Sequence, residues 1–182
     1  IKPDRKTRLL QKIGVAFQSG ALFGSMSILE NVKLPLKEFT DLPEPVIEKI
    51  ARVKLKLVNL SHACMQKPDA LSGGMKKRAA LARAMALDPA VIFLDEPSAG
   101  LDPITSAELD RLIKHLAGTL GITFIIVTHE LASINSISDR IIMLDKTAKG
   151  IIATGTPDQL KNQNSNPAVY QFFNRTTDKG KK

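Results

Sequence analysis

Three short apolar runs constrain the fold most strongly, because each one ends in polar residues and helical patterns separate them. The runs cover residues 13–17, 91–94 and 122–128. They are continuous rather than alternating, which is typical of strands that are buried on both faces of a parallel sheet. Parallel strands need long crossover connections, and the helical patterns supply them. The sequence therefore predicts an α/β protein with a mostly parallel sheet covered on both faces.

The stretch 27–86 has no strand pattern and is predicted to form an all-helical subdomain. Ser27 is a suitable N-cap for its first helix, Glu30 lies in the first turn, and Pro35 is expected to end the helix. Two prolines then open a second helix, because proline is tolerated in a first turn. The predicted apolar face of this second helix consists of Val46, Ile50, Val53, Leu57 and Leu60.

Good helix formers fill residues 75–86, and after them the chain returns to strands and helices. Asp102 and Pro103 are an N-cap and a first-turn proline for the next helix. The buried stripe of that helix is predicted to be Leu109, Leu112, Ile113 and Leu116. A short helix near 130–137 comes next. The last elements are expected to be strands at 140–144 and 150–153, then a helix with a capping box at Thr156–Gln159.

Bulk properties exclude several classes of protein. The single cysteine, Cys64, rules out an internal disulfide framework. No apolar run approaches the ~18 residues of a membrane span. The net charge of +8 is concentrated, with +4 in residues 1–12, +4 in 75–83 and +3 in 175–182, which leaves −3 elsewhere. Because aromatic residues are only 4% and Trp is absent, no base-stacking surface is indicated, and no nucleic-acid partner is expected.

Polar side chains follow each of the three apolar runs. Gln18 follows the first, Asp95 and Glu96 the second, and His129 the third. The carboxyl ends of parallel strands share one edge of a sheet, where ligands bind. A carboxylate there can hold Mg²⁺, and a second one can polarise an attacking water. Taken singly, each residue also fits a plain turn.

Ser72, Gly73 and Gly74 lead directly into the basic helical segment. Glycines allow close backbone approach, and a helix N-terminus attracts anions, so this stretch suits a phosphate. A plain helix start is the alternative interpretation. The 182 residues contain no G-x-x-x-x-G-K-[S/T] loop, which is the usual holder of nucleotide phosphates.

Taken together, the order Gln18, LSGGM, VIFLDEPSAGLD and VTHE resembles the ATP-binding-cassette (ABC) ATPases over residues 13–173. This resemblance implies ATP and Mg²⁺ as cofactors. It implies that Glu96 is the general base, that His129 is the switch histidine, and that Gln18 is the Q-loop glutamine with a catalytic and metal-binding role. Asp95 is then the carboxylate associated with Mg²⁺ and nucleotide.

The same resemblance assigns Ser72, Gly73 and Gly74 to the signature, and Asp102 to the D-loop of residues 98–102. In ABC dimers these segments contact nucleotide bound to the opposite subunit. The three signature residues are therefore expected to face outward, toward a second ABC ATPase subunit in a homodimer.

The resemblance implies a P-loop NTPase-like core that is truncated at its N-terminus, because the P-loop is expected to precede Ile1. The chain alone is then expected to be inactive. Four segments are predicted. They are a core strand with the Q-loop at 13–26, the helical subdomain at 27–86, a RecA-like core at 87–155, and C-terminal helices with a basic tail at 156–182.

A narrower resemblance is to the ATPase subunits of Mla/MCE-type lipid transporters. It is carried by FQSGALF at 17–23, Met75, AALARA at 79–84 and DPIT at 102–105. It implies an ATPase at the cytoplasmic face of the bacterial inner membrane that drives phospholipid trafficking across or from that membrane. A permease and an MCE-type lipid-binding protein are its implied partners. The alternatives are a soluble ABC-type ATPase acting on nucleic acid or ribosomes, and a non-catalytic ABC partner subunit.

Two interpretations of the apolar residues after the Q-loop remain open. Apolar residues after the Q-loop either dock on the permease or pack within the helical segment. They are Leu22, Phe23, Met26, Leu34 and Leu36.

Overall fold

The structure is a computed structural model that describes residues 9–163 and 165–175. Most of the basic tail segments, 1–8 and 176–182, lie outside the described residues. The chain divides into two compact units, 1–128 and 129–182. Each unit is described below by itself.

The first unit contains three strands and four helices among its described residues. The strands are β1 (Ile13–Ala16), β2 (Val91–Asp95) and β3 (Thr123–Val127). The helices are α1 (Ile28–Phe39), α2 (Glu44–Leu57), α3 (Gly73–Ala84) and α4 (Pro103–Leu120). The stretch between α1 and α3 contains no strand, and two 3₁₀ turns at Ser61–Ala63 and Pro68–Ala70 lead into α3.

The sheet of the first unit is parallel, in the order β1-β2-β3, as predicted. Helices α3 and α4 pack on the face that carries Ala16, Ile92 and Leu94, all of which are buried. The opposite face is exposed, so the prediction of cover on both faces is wrong for the described residues. The exposed members are Ile13, Val15, Phe93, Ile125 and Val127, with exposed fractions between 38% and 60%.

Helix α1 begins as predicted and ends later than predicted. Ser27 and Glu30 form the capping box, in which each side chain accepts from the other residue's backbone N–H. Pro35 lies inside the helix, which continues to Phe39, so the predicted end is wrong. Proline removes one helical hydrogen bond, and burial of Val32 and Leu36 on either side outweighs this loss.

Helix α2 buries a face that differs from most of the predicted one. Leu60, beyond the end of the helix, is buried as predicted, and Ile50 and Leu57 are partly buried. Val53 is 55% exposed and Val46 is 39% exposed, whereas Ile47, Ala51 and Leu55 are buried. The buried stripe also includes Lys54, whose aliphatic stem is covered while its ammonium contacts Asp88. A search for large apolar residues misses this stripe because alanine and lysine contribute to it.

Helix α4 follows its prediction closely. Asp102 is the N-cap, Pro103 is the first helical residue, and Gly121 ends the helix in a left-handed conformation with φ 66°. Leu109, Ile113 and Leu116 are buried, while Leu112 is only partly buried.

The second unit contains α5 (Leu131–Ile137), β4 (Ile141–Asp145), β5 (Gly150–Gly155), α6 (Pro157–Lys161) and α7 (Pro167–Asn174). Strands β4 and β5 pair antiparallel in their own sheet, since a connection this short allows a hairpin and not a parallel crossover. The predicted capping box between Thr156 and Gln159 starts α6. A core of Ile134, Ala153, Leu160, Val169 and Phe173 holds this unit together.

Candidate functional site

The carboxyl ends of the three parallel strands form the candidate site. Ala16 of β1 pairs with Leu94 of β2, and Asp95 pairs with Val127 of β3. The residues that follow the strands therefore lie at one edge of the sheet. Gln18 and the pair Asp95–Glu96 meet there, with Gln18 and Asp95 exposed and Glu96 half-buried.

Glu96 is held by both its backbone and its side chain. Its φ of 44° is in the left-handed region, which is uncommon for a residue with a side chain. Its N–H donates to the Val127 carbonyl at 2.9 Å, which extends the pairing of β2 with β3 by one residue. The Thr128 hydroxyl donates to Oε2 of Glu96 at 3.2 Å. The carboxylate is thus oriented against the end of β3.

Helix α3 reaches this edge through a lysine that sequence reasoning missed. The ammonium of Lys77 donates to the carbonyl of Gln18 at 2.6 Å and to the carbonyl of Glu96 at 2.9 Å. Arg83, two turns further along α3, donates to the carbonyls of Gly20 at 3.0 Å and Ala21 at 2.7 Å. Partial burial lowers the pKa of Arg83 from its ordinary value. The only signal in the sequence was the basic character of the helix.

The stretch Ser72–Gly74 forms the start of α3. The hydroxyl of Ser72 accepts from the Met75 N–H at 3.3 Å and caps the helix. Ser72 and Gly73 are exposed, as expected for an outward-facing segment. Gly74 is buried, contrary to that expectation, because Thr105 of α4 lies over it. A Cβ atom at Gly74 would lie 2.5 Å from Cγ2 of Thr105.

Asp102 is exposed and acts as the cap of α4. Its Oδ1 accepts from the N–H groups of Ile104 and Thr105, both at 3.1 Å, and its Oδ2 accepts from the Thr105 hydroxyl at 2.6 Å. The hydrogen bond from the Thr105 hydroxyl, followed by that from the Thr105 backbone, holds the pKa of Asp102 below its ordinary value of 3.8. Thr105 therefore contacts both the D-loop aspartate and the signature glycine.

His129 is the residue after Thr128 and the first residue of the second unit, where it is exposed. In the described ranges, no cluster of three or more His, Cys, Asp or Glu side chains that could hold a metal is found. In nucleotide sites, Mg²⁺ is usually bound by one or two protein ligands, and its other ligands are water and phosphate oxygens. The exposed Asp95 carboxylate, with Gln18 at the same sheet edge, fits such a site.

Among the described residues, no helix combines the length and the apolar character of a membrane span.

The loop after Gln18 carries an exposed aromatic residue, Phe23, with an exposed fraction of 50%. The buried Asn31 fixes this loop by accepting from the Phe23 N–H at 2.8 Å and donating to the Phe23 carbonyl at 3.1 Å. Leu36, by contrast, is buried within the helical segment.

Comparison with known proteins shows the family of this chain. The family described as "ABC transporter" matches residues 1–99. The intermembrane phospholipid transport system ATP-binding protein MlaF of Escherichia coli (strain K12) is 42% identical over 168 residues, which are 92% of this chain and 61% of the relative. The probable ribonucleotide transport ATP-binding protein mkl of Mycobacterium tuberculosis (strain ATCC 25618 / H37Rv) is 42% identical over 161 residues, which are 88% of this chain and 44% of the relative. The chain thus spans less than two thirds of the length of these relatives.

A solved structure gives the same result for the fold. The dimeric ATP-binding cassette MJ0796, in a post-hydrolysis state bound to ADP and Pi, superposes with a TM-score of 0.72 and 32% identity. The match covers 85% of this chain and 68% of that chain. The mixed fold with its parallel sheet is therefore that of an ABC ATPase domain, and the chain belongs to the ABC transporter family.

Proposed function

We propose that these residues belong to the ATP-hydrolysing subunit of a bacterial ABC transporter that moves phospholipid-like molecules. The observation that carries the proposal is the shared sheet edge. Gln18, Asp95 and Glu96 follow neighbouring parallel strands there, and the Glu96 carboxylate accepts a hydrogen bond from Thr128. A positioned carboxylate beside a metal-binding one is what hydrolysis of a phosphate bond by water requires.

Each residue has a distinct role in this proposal. Asp95 and Gln18 would hold Mg²⁺, which would supply positive charge at the phosphate when bound. The Glu96 carboxylate accepts a proton from the attacking water, and the Thr128 hydroxyl keeps that carboxylate in place. The family resemblance gives His129 the role of the switch histidine.

The remaining predicted site residues act toward a second subunit. The exposed Ser72 and Gly73 present the start of α3, whose positive end suits a phosphate bound to the partner. Gly74 allows α3 to lie against Thr105, which also donates to Asp102. We infer that Gly74 and Asp102 support this dimer surface through their contacts with Thr105. The expected assembly is a homodimer, and the solved relative is also dimeric.

The substrate rests on the names of relatives, and the partners rest on the resemblance to Mla/MCE-type transporters. MlaF is named for phospholipid transport and mkl for ribonucleotide transport, and both are 42% identical to this chain. MlaF matches more of the chain, 92% against 88%, so a lipid substrate is the proposal. A permease and an MCE-type lipid-binding protein are the expected partners, at the cytoplasmic face of the inner membrane. Phe23, exposed on a loop fixed by Asn31, is the best candidate for contact with the permease.

The test uses the full gene product, purified in mild detergent with the membrane proteins that accompany it. We expect magnesium-dependent ATP hydrolysis that phospholipid stimulates, and a loss of at least about 10²-fold for Glu96→Gln. Glu108→Gln removes an exposed carboxylate from α4 and is the matched control, expected to keep the wild-type rate. A Glu96→Gln variant that keeps more than a tenth of the rate would contradict the role of Glu96.

The isolated 182-residue chain gives a second result. Because it contains no G-x-x-x-x-G-K-[S/T] loop, we expect it to show no magnesium-dependent hydrolysis of its own. Measurable turnover by this chain would show that nucleotide is held in another way. A wild-type complex without any turnover would instead favour a non-catalytic partner subunit.

A further inference from the structure

Four backbone carbonyls at the candidate site are held by two basic side chains of one helix. Lys77 binds the carbonyls of Gln18 and Glu96, and Arg83 binds those of Gly20 and Ala21. We call this set the carbonyl clamp. The two segments that it joins are 59 and 19 residues from Lys77 in sequence, so local chain geometry does not impose the contact.

The segments held by the clamp need support, since both contain left-handed backbone. Gly20 has φ 77°, Ala21 has φ 46° and Glu96 has φ 44°. For a residue with a Cβ atom, this conformation is strained, because Cβ lies close to backbone atoms. It persists when surrounding groups determine it, and Lys77 and Arg83 supply such groups on one side of each turn.

Hydrogen bonds from a cationic donor are stronger than neutral ones and need a defined geometry. One ammonium that binds two carbonyls fixes the distance between them, and Lys77 therefore sets the backbone of Glu96 relative to that of Gln18. The two bonds that carry this coupling go to main-chain oxygens, so they act on the backbone of Gln18 and Glu96. The bond to the Glu96 carbonyl is partly buried, whereas the bond to the Gln18 carbonyl is exposed.

We propose that Lys77 is a positioning residue for ATP hydrolysis, which couples the start of α3 to the Q-loop and to the general base. This inference rests on the proposed function. The start of α3 is Ser72–Gly74, so a displacement of α3 moves Lys77 with it. The carbonyls of Gln18 and Glu96 then shift together. Arg83 extends the same coupling to Gly20 and Ala21.

The kinetic test compares variants of the full gene product in its membrane complex. Lys77→Met keeps the length of the side chain and removes both hydrogen bonds. We expect kcat to fall about 10-fold or more, because small misplacement of a catalytic group has large effects on rate, while KM for ATP changes less than threefold. Lys77→Arg should restore most of kcat, because its guanidinium can again donate to both carbonyls.

The matched control is Lys76→Met, which removes the same charge from the neighbouring position of α3. Neither the Gln18 carbonyl nor the Glu96 carbonyl is bound by Lys76, so kcat should stay within twofold of wild type. If Lys77→Met fails to fold, Lys77→Gln replaces it. Glutamine keeps a donor but has a shorter reach, so an intermediate kcat is expected.

A second readout does not depend on activity. Amide hydrogen exchange should become faster at residues 17–21 and at 96–99 together in Lys77→Met, and should return toward wild type in Lys77→Arg. A merely structural role would instead lower the unfolding temperature and raise exchange throughout the first unit.

The outcomes separate this inference from the proposed function. If Glu96→Gln is inactive while Lys77→Met keeps kcat within threefold of wild type, the clamp has no positioning role and the proposed function stands. If wild-type protein has no ATPase activity, the proposed function fails, and the exchange pattern alone then supports or overturns the clamp.

Discussion

The helical stretch 27–86 and the three-stranded sheet of the same unit bury their apolar residues to different degrees. In the helical stretch, Ile28, Val32 and Leu55 are completely buried, and the capping box at Ser27 closes the first helix. In the sheet, one face is packed under α3 and α4, while Phe93, Ile125 and Val127 of the other face remain exposed. Both regions have apolar sequences, so composition does not account for the difference.

The difference follows from which elements lie on each surface. Helices α1, α2 and α3 pack on one another and supply each other's cover. Among residues 9–128, the sheet is covered on the face where α3 and α4 lie, and its other face is exposed. Helical packing in this chain is therefore local, whereas the sheet depends on cover by other elements. The candidate site is at the strand ends of the less covered region, and helix α3 packs in both regions.

The largest expected effect is a direct contrast between the two regions. Val32→Thr in α1 and Val127→Thr in β3 make the same change, in which a hydroxyl of similar size replaces one methyl group of valine. Val32 is 0% exposed, so its replacement should lower the free energy of unfolding by about 1–3 kcal/mol. Val127 is 60% exposed, so its replacement should change it by less than about 0.5 kcal/mol. Urea denaturation of both variants measures this, and equal losses would contradict the contrast.

A smaller effect is expected where the helical stretch meets α4. Gly74→Ala places a methyl group against Thr105, and we expect a loss of about 1–2 kcal/mol, because overpacking outweighs the better helix propensity of alanine. Thr105→Ser removes Cγ2 and keeps the hydroxyl that donates to Asp102. The double variant should therefore regain the lost stability in thermal or urea unfolding. An equal loss in the single and double variants would show that this contact is not the cause.

The smallest effect concerns the cap of α1 at low pH. Hydrogen bonds from the Ser27 hydroxyl and the Ser27 N–H hold the pKa of Glu30 below its ordinary value of 4.5. A lowered folded-state pKa adds stability above the unfolded-state pKa, and this stability is lost as pH falls through the folded-state value. Ser27→Ala should cost about 0.5–2 kcal/mol at neutral pH. Because it weakens the link to Glu30, it should also make unfolding less pH-dependent below 4.5.

The control for the cap experiment is the cap of α4, which lies outside the helical stretch 27–86. The pKa of Asp102, the cap of α4, is also lowered, by Thr105. Its contribution to acid sensitivity should be unchanged in Ser27→Ala. If Ser27→Ala leaves the pH dependence of unfolding as in wild type, the link between Ser27 and Glu30 has no effect on stability.

Much of the fold was predictable from local signals in the sequence. Apolar runs located β1, β2 and β3, and the residues that cap α1, α4 and α6 were correctly identified from Ser27, Asp102 and Thr156. Caps are predictable because the side chain bonds to backbone within three residues. Family membership was also predictable, since the motifs are short and ordered along the chain.

The errors arose where tertiary contacts outweigh local preference. Pro35 remains inside α1 because buried neighbours offset its missing hydrogen bond. The buried face of α2 includes Ala51 and Lys54, and their burial depends on neighbours rather than on hydrophobicity. The contacts of Lys77 with Gln18 and Glu96 span many residues and involve main-chain oxygens, so no sequence pattern marks them.

The left-handed backbone at Glu96 has a consequence for engineering. Glycine adopts this conformation without strain, so a redesign scored only on folding energy would replace the glutamate and raise thermal tolerance. If Glu96 has its proposed role as general base, the product would be a more stable protein with little ATPase activity. At this position, selection for stability would then oppose selection for turnover.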